Sequence, residues 1–235
     1  MKRIAMLVLS LALVLCAVTP AFAAGKLEVT SEQFYSLEPY EGSFYAYIFA
    51  ELTNTGDKPI EFANGLWEIY NADGDALDSD DWLYCYPDVL EAGQVGYLAT
   101  YMNLDGATSV EDAADYMLSV SGKAAKENPN VALPATVEYV FTEGSYRNTH
   151  ELIATVTNDT DAPVYNFRVL FAVKDAEGKL VYVEDVMPSY VGIMPGTSVQ
   201  VKCDLSYDNV VEALLENNMI TFDNLAVVAY QDTDY

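Results

Sequence analysis

The sequence predicts an all-β protein built as two tandem β-sandwich domains with short helical segments, behind an N-terminal export signal. Three observations carry this. Apolar and polar residues alternate with a period of two in several segments, which points alternate side chains to one face of a strand. Turn-forming clusters separate those segments at roughly ten-residue spacing, the pattern of a sandwich. The sequence also matches itself at an offset of 104 residues: Thr53-Asn54-Thr55-Gly56-Asp57-Lys58-Pro59-Ile60 aligns without gaps with Thr157-Asn158-Asp159-Thr160-Asp161-Ala162-Pro163-Val164. Such a period is too long for a solenoid and indicates two copies of one domain.

The chain opens with Lys2 and Arg3, an apolar run from Ile4 to Val18, a Thr19-Pro20 break and Ala21-Phe22-Ala23. Small residues then stand where a signal peptidase reads, so residues 1–23 read as a signal peptide. The run is short for a membrane span of about 20 residues. Cys16 follows Leu15, whereas a lipid-anchored cysteine wants a small residue there. The first sandwich is expected over residues 24–125 and the second over 133–235. Between them Lys123, Lys126, Asn128, Pro129, Asn130 and Pro134 interrupt the apolar pattern.

Within the copies, Ile48, Ala50 and Leu52 alternate with Phe49, Glu51 and Thr53, as Leu152, Ala154 and Val156 do later. Each strand runs into an Asn-x-x-Asp-x-Pro cluster, whose residue types favour turns. Strands carrying Gly65, Trp67 and Ile69, and Phe167, Val169, Phe171 and Val173, follow. They enter hairpins at Asp73-Gly74 and Glu177-Gly178. Later strands carry Val95, Tyr97, Ala99 and Tyr101 in one copy and Val199 to Leu205 in the other. Val110 to Met117 and Val210 to Leu215 have helical spacing with acidic starts, as the helix dipole prefers. Leu118-Ser119-Val120 and Leu225-Ala226-Val227 close the copies.

Each copy resembles an FxLYD-type domain, a small immunoglobulin-like sandwich of exported bacterial proteins. The name motif falls on Trp67-Glu68-Ile69-Tyr70-Asn71 and on Phe171-Ala172-Val173-Lys174-Asp175. The departures are Trp67 for Phe, Asn71 for Asp, Val173 for Leu and Lys174 for Tyr, and Ala92-Gly93 stands where Pro-Gly is the family pattern. The resemblance implies an immunoglobulin-like fold and an extracytoplasmic setting, and it brings no catalytic residues.

Composition narrows the function. Thirty-six acidic residues stand against 11 basic ones, a formal charge of −25, and removing Lys2 and Arg3 takes it to −27. Nucleic acid is a poor partner for such a chain, because phosphate binding needs a basic footprint. No later apolar segment is long enough for a transmembrane helix, so the mature chain is expected to be secreted or held at the cell envelope. Cys85 and Cys203 sit on apolar faces of alternating segments in different domains and read as buried free thiols. His150, the only histidine, has neither a Gly-x-Ser-x-Gly elbow nor a second histidine to work with. Asn158-Asp159-Thr160 has the form of a glycosylation sequon but carries no weight here.

Two constellations remain. Asp73, Asp75, Asp78 and Asp80, in an oxygen-rich acidic run, are candidate calcium ligands. Gly74 and Trp82 occupy the wrong positions for an EF-hand, and a solvated hairpin is the competing reading. Eighteen tyrosines are unusual. Tyr45 and Tyr47 share a face with Phe49, and Trp82, Tyr84 and Tyr86 share another; together they are the candidate binding patch for an extracellular protein or glycan. The competing reading is that these rings fill a second face or the domain interface. The expected function is therefore non-catalytic binding or structural support. A calcium-stabilised spacer is one alternative, and a glycan hydrolase using carboxylates at the domain junction is another.

Overall fold

The computed structural model describes residues 26–231; the expected signal peptide, residues 1–23, lies outside them. The strands, in chain order, are β1 (Leu27–Tyr40), β2 (Ser43–Asn54), β3 (Ile60–Tyr70), β4 (Ala76–Asp80), β5 (Val89–Leu90), β6 (Val95–Asn103) and β7 (Asp115–Ala124). They continue with β8 (Val131–Leu133), β9 (Ala135–Thr142), β10 (Thr149–Thr157), β11 (Phe167–Lys174), β12 (Leu180–Val186), β13 (Ser198–Asp204) and β14 (Asn224–Gln231). One α-helix, α1 (Asn209–Glu216), lies between the last two strands. The fold is all-β and of sandwich type.

Four antiparallel sheets make it up. In the N-terminal half β1-β2-β6 faces a sheet in which β3 pairs with β4, β5 and β7. In the C-terminal half the orders are β13-β10-β9 and β12-β11-β14-β8. The alternation read from the sequence is the packing: Ala46, Ile48, Ala50 and Leu52 meet Trp67, Ile69 and Leu98 in one core. Leu152, Ala154 and Val156 meet Phe167, Val169, Phe171 and Val173 in the other.

The turns are held by side chains in the same way in both halves. Asn54 donates from Nδ2 to the carbonyls of Lys58 and Leu90, at 2.8 and 2.9 Å, and accepts from Gly56 N–H. Asn158 donates to Ala162 and Ile193, both at 2.8 Å, and accepts from Thr160 N–H. Both asparagines are fully buried. In the hairpins, Asn71 Oδ1 accepts from the N–H of Asp73 and Asp75, and Asp175 Oδ1 from Glu177 and Lys179. Gly74 and Gly178 both adopt φ of 83°, where a Cβ would be strained.

The helix expected from Val110 to Met117 is a correction. Only Val110–Asp112 forms a single 3-10 turn, and Asp115 already opens β7. Tyr116, Leu118 and Val120 alternate with exposed neighbours and pair along β3, so a period of two wins over three residues of helical spacing. The second expected helix is present as α1, capped by Asp208, whose Oδ1 accepts from Val210 and Val211 N–H. The expected boundary stretch is also more structured than its composition implies. Gly122 and Lys123 belong to β7, and Val131–Leu133 add β8 beside β14.

The halves are packed together rather than strung apart. Tyr35, Leu37, Phe49 and Tyr97, from the outer face of the β1-β2-β6 sheet, belong to the same buried cluster as Val181, Tyr182 and Val183 of β12. Phe49 and Tyr182 bring their ring centroids to 5.1 Å. Tyr35 donates to the Val181 carbonyl, and Ser31 accepts from Leu180 N–H. Lys174 reaches Glu51 at 2.5 Å with both side chains largely buried. Lys174 thereby makes an ion pair between the halves. Cys85 and Cys203 are both free and buried, and burial pushes both thiols up.

Candidate functional site

Two faces that pack at one end part company at the other. Along β6, Tyr97, Ala99 and Tyr101 point to the same side, and exposure rises from 3% at Tyr97 to 62% at Tyr101. The same gradient runs along β2, from buried Phe49 to half-buried Tyr47 and Tyr45. The sheet face therefore leaves the interface and opens into a cleft of about 550 Å³. Its walls are the β1-β2-β6 sheet on one side and β12 with the start of α1 on the other. Tyr40, Tyr45, Tyr47 and Tyr101 come from the first half, and Tyr182 and Tyr207 from the second.

Register explains the aromatic wall. Tyr47 lies directly across from Tyr101, and Tyr45 is two residues away on the same face. Ring centroids are 5.8 Å apart for Tyr47–Tyr101, 6.0 Å for Tyr45–Tyr101 and 6.2 Å for Tyr45–Tyr47, with interplanar angles of 34°, 53° and 30°. Burial, and then the Asp208 carboxylate, push the Tyr47 phenol up to about 12.

The opposite wall is acidic. Glu184, Asp185 and Asp208 line it. The buried Tyr182 hydroxyl lies 2.6 Å from Glu184 Oε2 and 2.8 Å from Asp208 Oδ2. One hydroxyl has one proton to donate. The Tyr182 hydroxyl is within donating distance of both carboxylates, and Asp208 also caps α1 through its Oδ1. Burial, aided by the Asp208 and Asp185 charges, pushes the Glu184 carboxyl up from its ordinary value, while its bond to Tyr182 pulls the other way. Asp185 pairs with Arg168, whose guanidinium lies 3.9 Å over the Tyr86 ring.

The structure splits the five aromatic residues read from the sequence. Tyr45 and Tyr47 join the cleft. Tyr84 and Tyr86 form a separate parallel stack at 6.4 Å. Tyr86 exchanges two backbone hydrogen bonds with Tyr97 and lies under Arg168, so it is part of the junction. Trp82, two residues before Tyr84, stands 76% exposed. Sequence reasoning missed Tyr40, Tyr101, Tyr182 and Tyr207. Tyr101 was within reach, because its alternation with Tyr97 was visible; only its pairing with Tyr47 was not.

The aspartates do not gather. Asp73 and Asp75 sit in a hairpin organised by Asn71, while Asp78 and Asp80 run along β4, where their carboxylates accept from Ser79 and Trp82 N–H. Among the described residues no group of three or more His, Cys, Asp or Glu side chains could hold a metal ion. Strand pleating spaces Asp78 and Asp80 along an edge rather than around a point. His150 packs among Tyr139, Phe141 and Phe222, and its Nδ1 is 2.7 Å from the Tyr139 hydroxyl.

No family model matches this sequence. No curated protein matches it either. Among solved structures the chain is similar to the transglutaminase of red sea bream, at 13% identity and a TM-score of 0.22, over 76% of this chain and 27% of that one. The chain spans about a quarter of that protein's length, and a likeness so slight says nothing about activity. No described helix is long and apolar enough to cross a membrane.

Proposed function

We propose that the protein is an exported, non-catalytic binding module, made of two tandem immunoglobulin-like sandwiches of FxLYD type, that takes a protein or glycan ligand in the cleft at their junction. The observation that carries this is the convergence of six tyrosines from both halves on one opening. Tyrosine supplies a large contact area with a polar tip at little entropic cost, and clefts between domains are common ligand sites.

Two further observations support the tandem reading. The sheet orders of the halves correspond apart from β5, matched in the second half only by the isolated Val164–Ile193 bridge, and the added β8. The hydrogen bonds around Asn54 and Asn158, and around Asn71 and Asp175, are the same sets. Asn71 and Asp175 end the two FxLYD-like stretches, where a side-chain acceptor caps the hairpin. The non-catalytic reading is supported by the employment of the cleft carboxylates: Asp208 caps a helix, Asp185 pairs with Arg168, and Glu184 faces the buried Tyr182 hydroxyl. Export rests on residues 1–23.

The test is co-sedimentation of residues 24–235 with cell envelopes and with isolated envelope glycans from the source organism. Tyr47→Ala with Tyr101→Ala is expected to weaken pelleting about fivefold or more, the loss typical of a central aromatic contact. Trp82→Ala and Tyr84→Ala are expected to bind as the parent does. The reverse ranking refutes the cleft as the ligand site.

A further inference from the structure

The charge and shape of the cleft narrow the ligand further, on the footing that the cleft is the binding site. We propose that it selects an organic ammonium group, primary or quaternary, carried by the ligand.

Shape is the first reason. Tyr45, Tyr47 and Tyr101 stand within 5.8–6.2 Å of one another with their planes tilted by 30–53°. A flat sugar ring is served by one broad aromatic face. Three rings inclined to one another instead offer several small faces at one opening, which suits a compact group better than a flat one. The ring faces carry negative quadrupole potential, so the favoured occupant is a cation.

Charge is the second. Among the residues lining the cleft there is no Lys, Arg or His, while Glu184, Asp185 and Asp208 face the aromatic rings from β12 and the start of α1. Arg168 offsets Asp185 from outside the lining. Asp208 has no such cation, and its neighbours are the Tyr182 hydroxyl and the helix N–H groups. A ligand bearing an anion meets repulsion here; a ligand bearing an ammonium meets both π faces and a carboxylate. The chain's −25 charge steers cations toward it in addition.

The lining favours an organic cation over a bare metal ion: a metal ion needs several converging ligands, and among the described residues no group of three or more His, Cys, Asp or Glu side chains could hold one. An opening of 550 Å³ lined by rings fits an organic cation.

The experiment is isothermal titration of residues 24–235 with three probes: tetramethylammonium, N-acetyl-lysine methylamide, and its neutral Nε-acetylated counterpart. Both cations are expected to bind saturably, and the neutral probe at least about tenfold more weakly. Tyr101→Ala is expected to weaken both cations about tenfold and Tyr101→Phe to retain them, because Phe keeps the ring face. Tyr101 is 62% exposed, so its variants should fold, and an unchanged melting curve checks this. Stronger binding of the lysine probe assigns the ammonium to a peptide side chain, and stronger binding of tetramethylammonium assigns it to a quaternary group. Equal binding of the neutral and charged probes, no binding of either cation, or cation binding indifferent to Tyr101→Ala overturns the proposal. If the cations fail while envelope binding still depends on Tyr47 and Tyr101, only this inference falls; if envelope binding is also indifferent to them, the cleft itself is the wrong site.

Discussion

Replacing Asn158 by Ala should cost this protein a large share of its stability, although the residue stands in a turn. Its side chain is 0% exposed and occupied on every side. Nδ2 donates to Ala162 and Ile193 carbonyls at 2.8 Å each, and Oδ1 accepts from Thr160 N–H at 2.9 Å and Thr160 Oγ1 at 2.7 Å. Alanine removes all four bonds, although the Ile193 carbonyl keeps its bond from Val164 N–H. Each lost bond costs about 0.5–1.5 kcal/mol. Allowing water to repair the outer bonds, the net is about 3–5 kcal/mol, against a total of about 5–15 kcal/mol for a typical protein. With a urea slope of roughly 2–3 kcal/mol per molar, the midpoint should fall by about 1–2 M. Urea unfolding followed by far-ultraviolet circular dichroism measures it. Asn54→Ala should behave alike, because Asn54 makes the corresponding bonds to Lys58, Leu90 and Gly56. Asn158→Asp should be at least as damaging, since it sets a carboxylate against two carbonyl oxygens. A loss under about 1 kcal/mol in both alanine variants would refute the reasoning, because that is what a solvated turn residue costs.

Three other outcomes follow from the packing. Lys174→Met should destabilise by about 3–5 kcal/mol by leaving Glu51 largely buried without its cation, and Glu51→Leu added to it should recover most of the loss; a chemical-denaturation double-mutant cycle reads both. Trp67→Phe should change stability by less than about 1.5 kcal/mol in the same assay, because it loses ring area but removes a buried indole N–H with no acceptor, and Phe171 fills the corresponding place in the second half. Burial, and then Arg147, lower the His150 pKa from its ordinary 6.5. The unfolded chain therefore takes up this proton first, so the contribution of His150 is complete above about pH 6.5 and is lost as pH falls through the lower folded value. A melting-temperature profile from pH 7.5 to 5 should fall more steeply for the parent than for His150→Phe.

Much of the fold is legible in the sequence because a strand writes its own pleat. Ala46, Ile48, Ala50 and Leu52 had to share a face whatever covered them, and Gly74 and Gly178 had to sit where φ is positive. The alternation that puts Cys85 on an apolar face holds, and Cys85 is buried. The false helix from Val110 to Met117 shows the limit. Over so few residues helical and strand spacing overlap, and pairing with β3, more than forty positions earlier, decided between them. Asn54 and Asn158 show another: their type marks a turn, but their burial depends on Leu90 and Ile193 closing over them.

The tyrosines divide along the same line. The sequence determined that Tyr45, Tyr47 and Phe49 occupy one face, since alternation along a strand is a local property of the backbone. It left open whether that face met water, a ligand or the rest of the chain. The tertiary structure settled this residue by residue: β12 covers Phe49, and the diverging sheets leave Tyr45 and Tyr47 at a cleft with Tyr101, Tyr182 and Tyr207. No local pattern encodes that meeting, because its walls come from strands about 80 residues or more apart, and only the docking of one half on the other brings them within reach.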